Sequence, residues 1–307
     1  MLSLKRLFFN CEACLCHQLN ARKMSYIPGP LKLAHTVYNS KKVEDNCPLV
    51  VLHGLFGSRT NWHSLAKSMS RRGKKVITVD SRNHGDSPHC EEMDYFAMSE
   101  DVTNLLQTME IEKAIVIGHS MGGKTAMTLA LTQPELVRKL VVVDNAPVQF
   151  SMTKSDFPKY IQNMRKIQLD QSKSLIENRR NADEVLQEAV KSEKVRSFLL
   201  TNLVEKNTII QWRCNLDYIE NNLMNVFGFP FFDDFEAYVE KTLFIGGENS
   251  DYIEEEYFEE IRRLFIYAEV QYIEGAGHWV HSDKPTVFLQ TLFNFISKKK
   301  PIRHASL

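Results

Sequence analysis

Gly118-His119-Ser120-Met121-Gly122-Gly123 decides the reading of this chain. It follows a short β-branched run, Ala114 to Ile117, and leads into a helical pattern from Met121 to Leu131. This is G-x-S-x-G in the context that gives it meaning, a serine on a turn between strand and helix. Glycines at 118 and 122 allow a turn so tight that Ser120 is held in a strained conformation with its hydroxyl presented. Larger side chains there would strike the neighbouring strand or helix. The helix behind the serine aims its first N–H groups at developing negative charge. A chance match to the pattern is usually a surface turn; strand before and helix after favour a nucleophile.

On both sides of this turn, from about residue 48 to 144, short strand-like runs alternate with amphipathic segments. Strands are expected at Pro48 to Leu52, Lys75 to Val79 and Leu140 to Val143, and helices at Trp62 to Arg71 and Ala97 to Met109. The alternation stops between Phe150 and Tyr238, where the chain turns polar and helical. It resumes with strands at Thr242 to Ile245 and Val270 to Ile273 and helices at Glu254 to Leu264 and Pro285 to Ile296. The expected architecture is therefore α/β: a mostly parallel sheet flanked by helices, built from 26–149 and 239–300, with a helical cap inserted over 150–238.

Composition bounds the function. Lysine plus arginine equals aspartate plus glutamate at 38 each, so overall charge recruits neither nucleic acid nor an anionic surface. No apolar run approaches the roughly 18 residues that span a bilayer. Cys11 and Cys14 form a C-x-x-C. With no second pair at metal-binding spacing, a metal or redox role is disfavoured. Lys5, Arg6, Arg22 and Lys23 face a single acid, Glu12, with Leu4, Leu7, Phe8 and Cys11 at helical spacing. Residues 1–25 thus read as a mitochondrial targeting segment, the alternative being a frayed tail on a cytoplasmic protein. The basic stretch from Lys298 to Arg303 reads as a solvated end.

Two further motifs complete a candidate site. His53-Gly54-Leu55-Phe56-Gly57 follows the first core strand. Acyl transfer needs two backbone N–H groups on its oxyanion, one from the residue after the nucleophile and one from the loop after an earlier strand. Met121 supplies the first and Leu55 the second, with Phe56 the less favoured neighbour. Gly275-Ala276-Gly277-His278-Trp279 stands between the last strand and the last helix. Histidine is the natural general base at neutral pH, and His278 stands in the chain order expected of its partner serine. His53 and His119 are better read as loop-packing residues, and His281 ranks behind His278. Arg82 and Asp86 are expected to brace the Asp80–Ser87 loop beside the serine turn.

From about Pro48 onward the chain resembles the α/β-hydrolase superfamily, and within it the small esterases of mitochondria and bacteria. The residues that carry the likeness are the three motifs above together with Asp80-Ser81-Arg82-Asn83-His84-Gly85-Asp86-Ser87. The resemblance implies a serine esterase or lipase acting on small acyl esters, acylglycerols or thioesters, and agrees with mitochondrial residence. The triad acid must stand where it can bond the second imidazole nitrogen of His278. Asp144 ends a core strand, and the resemblance favours it. Asp251, after the next core strand, is the commoner superfamily position, and Asp217 lies in the insertion; both stay open as alternatives.

Aromatics in the insertion, among them Phe157, Tyr160, Phe198, Trp212 and Phe227 to Phe232, are expected to glue it to the core and to line an apolar acyl pocket. The expected reaction is two-step acyl transfer on a small-molecule or lipid ester, with no metal and no organic cofactor, no nucleic acid and no transmembrane segment; protein partners are not legible. The alternative is a catalytically silent binding or scaffold protein on the same fold.

Overall fold

The computed structural model of the protein describes residues 29–40, 47–152, 155–232 and 235–297. Seven strands form one sheet in the order β1-β3-β2-β4-β5-β8-β9. They are β1 (His35–Tyr38), β2 (Leu49–Leu52), β3 (Val76–Val79), β4 (Ala114–His119), β5 (Val137–Val143), β8 (Tyr238–Gly247) and β9 (Phe265–Ile273). β1 is antiparallel to β3, and every other pairing in this sheet is parallel.

Every residue of β2, β3 and β4 is buried, as expected of parallel strands covered on both faces. Side chains alternate between the faces with the period of two that extended backbone imposes. Val50, Leu52, Ile77 and Val116 pack against α2 (Tyr95–Thr108) and α3 (Met121–Thr132) through Val102, Leu106, Met127 and Ala130. Their neighbours Leu49, Val51, Val76 and Ile117 meet α1 (His63–Arg71) and α11 (Pro285–Ser297) through Leu65, Met69, Phe288 and Leu292.

Between β5 and β8 the chain leaves the sheet. It forms α4 (Phe157–Lys166), α5 (Leu175–Leu186), α6 (Glu193–Leu200), a hairpin of β6 (Leu203–Lys206) with β7 (Ile209–Trp212), α7 (Leu216–Asn221) and α8 (Leu223–Phe227). Ile161, Met164, Leu186 and Leu199 from these helices share an apolar cluster with Leu55, Phe56, Met98 and Met121. The contact sets the insertion directly over the serine turn. An all-helical insertion is the sequence expectation, and the hairpin departs from it. Its turn places Asn207 and Thr208 at φ 52° and 64°. Threonine rarely occupies that region, so the usual Asn-Gly signal of such a turn is missing. β8 and β9 also begin earlier than expected. Edge strand β9 is only partly buried along most of its length, which weakens the apolar pattern that would announce it.

The loop after β3 is braced as expected. Arg82, 2% exposed, donates from Nε and Nη2 to the two carboxylate oxygens of Asp101 at 2.8 and 2.9 Å. Its remaining donors go to the carbonyls of Glu92 and Ala97. Asp86 accepts from Arg59 and Arg213. Among the described residues no helix is long and apolar enough to cross a membrane. The expected targeting segment, with Cys11 and Cys14, and the basic end from Lys298 to Arg303 lie outside the described residues.

Candidate active site

Three loops at the carboxyl ends of β2, β4 and β5 converge on Ser120. The serine has φ 51° and ψ −118°, a conformation that non-glycine residues hold only when their surroundings enforce it. The enforcement is visible in the glycines. A Cβ on Gly118 would stand 2.1 Å from the Gly122 carbonyl oxygen, and one on Gly122 would stand 2.5 Å from that of Leu52. The turn closes because neither side chain exists. A Cβ on Gly54 would come within 3.1 Å of the Ser120 Cβ, so that loop also rests against the serine.

The two expected oxyanion donors are Leu55 and Met121, and both line a small inner chamber together with Ser120. The Phe56 N–H is already committed to His84 Nε2 at 3.1 Å. Among the described residues the N–H groups of Leu55 and Met121 donate to nothing. The free pair is therefore Leu55 and Met121, and Phe56 is occupied.

His278 stands on the loop after β9, and its Nδ1 lies 2.7 Å from Asp144 Oδ2. Asp144 is fully buried. Its backbone turns at φ 52° and donates to the Ile245 carbonyl. Its Oδ1 accepts the Gly247 N–H at 2.9 Å and its Oδ2 the Ser250 hydroxyl at 2.5 Å. These donors hold the carboxylate in place. Asp217 is elsewhere: its carboxylate is 68% exposed and pairs with Arg165. Asp251 is exposed at the mouth of the cavity that His278 lines. Of the three candidate acids, only Asp144 bonds the His278 ring. No hydrogen bond joins Ser120 to His278 among the described contacts, and such bonds often tighten only once substrate is in place.

Several further residues support the site. The Tyr252 ring stacks on His278 at 4.1 Å, and Ser250 completes the Asp144 cage. His119 Nε2–H donates to the His278 carbonyl at 2.9 Å. Lys124, one turn along α3, donates to the carbonyls of Val148, Phe227 and Gly228 at 2.8, 2.9 and 2.7 Å. It ties the loop after β5 and the end of α8 to the helix behind Ser120. Burial pushes its amine down to about 7, while three carbonyl acceptors match the three donors of the ammonium form. A lysine as the one charged residue of its helix was the available clue.

The buried His53, His84 and His281 are packing groups. His53 donates from Nδ1 to the Gly54 carbonyl and accepts the Ser81 N–H at Nε2, so it is neutral. His281 stacks on Trp62 at 4.1 Å. Burial lowers both His84 and His281 to about 3. Their unfolded counterparts titrate near 6.5, so the unfolded chain binds more protons as pH falls below that value. Their contribution is complete above pH 6.5 and shrinks with acid, by about 2 kcal/mol each at pH 5. His281→Phe, which keeps a ring against Trp62, is expected to flatten the pH dependence of the urea unfolding free energy between pH 6 and 5 by about 1 kcal/mol. An unchanged slope would refute a neutral buried imidazole.

Phe150, Phe157, Phe227 and Tyr252 separate the inner chamber, about 20 Å³, from an outer cavity of about 490 Å³ that His278 and Trp279 also line. Serine and oxyanion donors are inside, and the imidazole looks outward.

Comparison with known proteins agrees with this architecture. Residues 48–285 match the family described as alpha/beta hydrolase fold. A Danio rerio protein named sn-1-specific diacylglycerol lipase ABHD11 is 47% identical, over 87% of this chain and 83% of its own. The Escherichia coli protein named esterase YbfF is 33% identical, over 87% of this chain and 100% of its own. Among solved structures, a marine microorganism esterase superposes with a TM-score of 0.79 at 34% identity, covering 86% of this chain and 99% of that one.

Proposed function

The chain belongs to the α/β-hydrolase family, and on that premise we propose that it is a serine hydrolase cleaving carboxylic esters, whether small acyl esters, acylglycerols or thioesters. In this reading Ser120 Oγ attacks the acyl carbon while His278 Nε2 takes its proton. The carbonyl electron pair moves onto oxygen and is met by the N–H groups of Leu55 and Met121. Collapse of that intermediate breaks the acyl–oxygen or acyl–sulfur bond, and the alcohol or thiol leaves with the proton from His278. Water then repeats the sequence, giving its proton to His278 and releasing the acid and Ser120. Asp144 keeps Nδ1 protonated, so that Nε2 is free to accept, and stabilises the imidazolium between the two transfers.

The observation that carries the reading is the Asp144–His278 bond beside a serine held at positive φ. The relatives named as lipase and esterase support the ester class. The test is labelling with a fluorophosphonate, comparing the wild type with Ser120→Ala and His278→Ala and mapping the adduct by peptide mass. The expected adduct is on Ser120 and is suppressed by both substitutions. Absence of an adduct in folded wild-type protein, under conditions that label a known serine esterase, would favour the silent scaffold instead.

A further inference from the structure

Among the described residues, the charged side chains of aspartate, glutamate, lysine and arginine that line the outer cavity are of one sign only. Asp156, Asp251, Glu254 and Glu256 line it beside the aromatic rings, and no lysine or arginine does so among the described residues. Asp156 is bridged by Lys159, which does not line the cavity. The other three have no ion-pair partner among the described residues, and all four are exposed. Three tyrosines of the same cavity register the field. Burial and then Asp156 raise Tyr160; burial, Asp251 and Asp144 raise Tyr252; burial and then Glu256, Glu254 and Asp251 raise Tyr257.

A second, independent observation comes from deeper in the site. The cation that lines the inner chamber is Lys124, and its ammonium donors are consumed by the carbonyls of Val148, Phe227 and Gly228. His119, beside Ser120, is fully buried, and burial drives it well below its usual range, so it stays neutral. An anionic group entering from the mouth meets carboxylates first and, among the described residues, finds no free counter-charge further in. Moving a charge from water into such a site without a partner is strongly unfavourable.

We propose that Asp156, Asp251, Glu254 and Glu256 form an electrostatic filter at the mouth of the site, which admits neutral or cationic esters and disfavours those whose leaving group carries a negative charge. The inference rests on the hydrolase reading and narrows its substrate class. Leaving groups occupy the outer cavity because His278, which returns the proton to them, faces it. A carboxylate or phosphate there lies within about one Debye length, roughly 10 Å at 0.1 M salt, of several like charges. Repulsion of this kind acts mainly on association and falls with added salt.

Two esters separate the outcomes: 2-nitrophenyl butyrate and 4-nitro-3-(butanoyloxy)benzoate, which share acyl group and chromophore and differ by one carboxylate. At low salt the wild type is expected to favour the neutral ester in kcat/KM by on the order of tenfold, a preference that shrinks as sodium chloride is added. Glu254→Gln combined with Glu256→Gln should reduce the preference several-fold, and Glu254→Lys combined with Glu256→Lys should abolish or reverse it. The shift should appear in KM for the anionic ester. A preference unaltered by salt and by both double variants would overturn the filter while leaving the hydrolase intact. Failure of the wild type to turn over either ester would instead overturn the hydrolase reading, and the filter with it.

Discussion

Ser120→Ala is expected to lower kcat on a neutral nitrophenyl ester by about 10⁴-fold or more while KM stays within a few-fold. The substitution deletes one oxygen and leaves the Leu55 and Met121 N–H groups and the His278–Asp144 pair in place. What survives is the stabilisation that oxyanion donors and binding give to direct attack by water. Alanine at φ 51° is strained about as serine is, so unfolding midpoints of variant and wild type should agree closely. Residual activity above about one tenth of wild type, in a variant with an unchanged midpoint, would remove Ser120 from the role of nucleophile.

Asp144→Asn should lower kcat by about 10³ to 10⁴-fold, again with little change in KM. The amide has nearly the shape of the carboxylate. Facing Nδ1 with an NH₂ group, however, it favours the tautomer of His278 that carries its proton on Nε2, which cannot accept from Ser120. The imidazolium formed during turnover also loses its counter-charge. Asp217→Asn is the matched control. Its carboxylate is exposed and held by Arg165, and neutralising it should change turnover by no more than about threefold. Should Asp217→Asn, or Asp251→Asn, prove as damaging as Asp144→Asn, the acid would have to be reassigned.

The candidate serine, histidine and oxyanion loop could be located from residue types because each is tied to a local motif. Gly118 and Gly122 report a turn that only glycine can close, and the distances from a hypothetical Cβ to the Gly122 and Leu52 carbonyls explain why. His278 follows the last strand in the chain order that the serine turn predicts. The alternating pattern from residue 48 to 144 located the central strands because burial on both faces makes them continuously apolar. Where burial is partial, as along β9, or the turn residues are atypical, as at Asn207 and Thr208, the pattern failed.

The acid shows the opposite case. Asp144, Asp217 and Asp251 are equivalent as letters, and what separates them is distance to His278, set by strands β5, β8 and β9 packing side by side. The Asp144 cage draws on Gly247 and Ser250, 103 and 106 residues away along the chain, and the bond to His278 spans 134. The same holds for Lys124, whose role depends on Phe227 and Gly228, and for the carboxylates at the mouth, which come from the segment just before α4 and from the chain after β8. Sequence by itself determined the fold class, the strained serine turn and the residue types of the candidate site, since these follow from local sterics and periodicity. Tertiary structure decided which aspartate bonds the histidine, which N–H groups remain free and what charge lines the outer cavity, because each depends on groups that only folding brings within reach of one another.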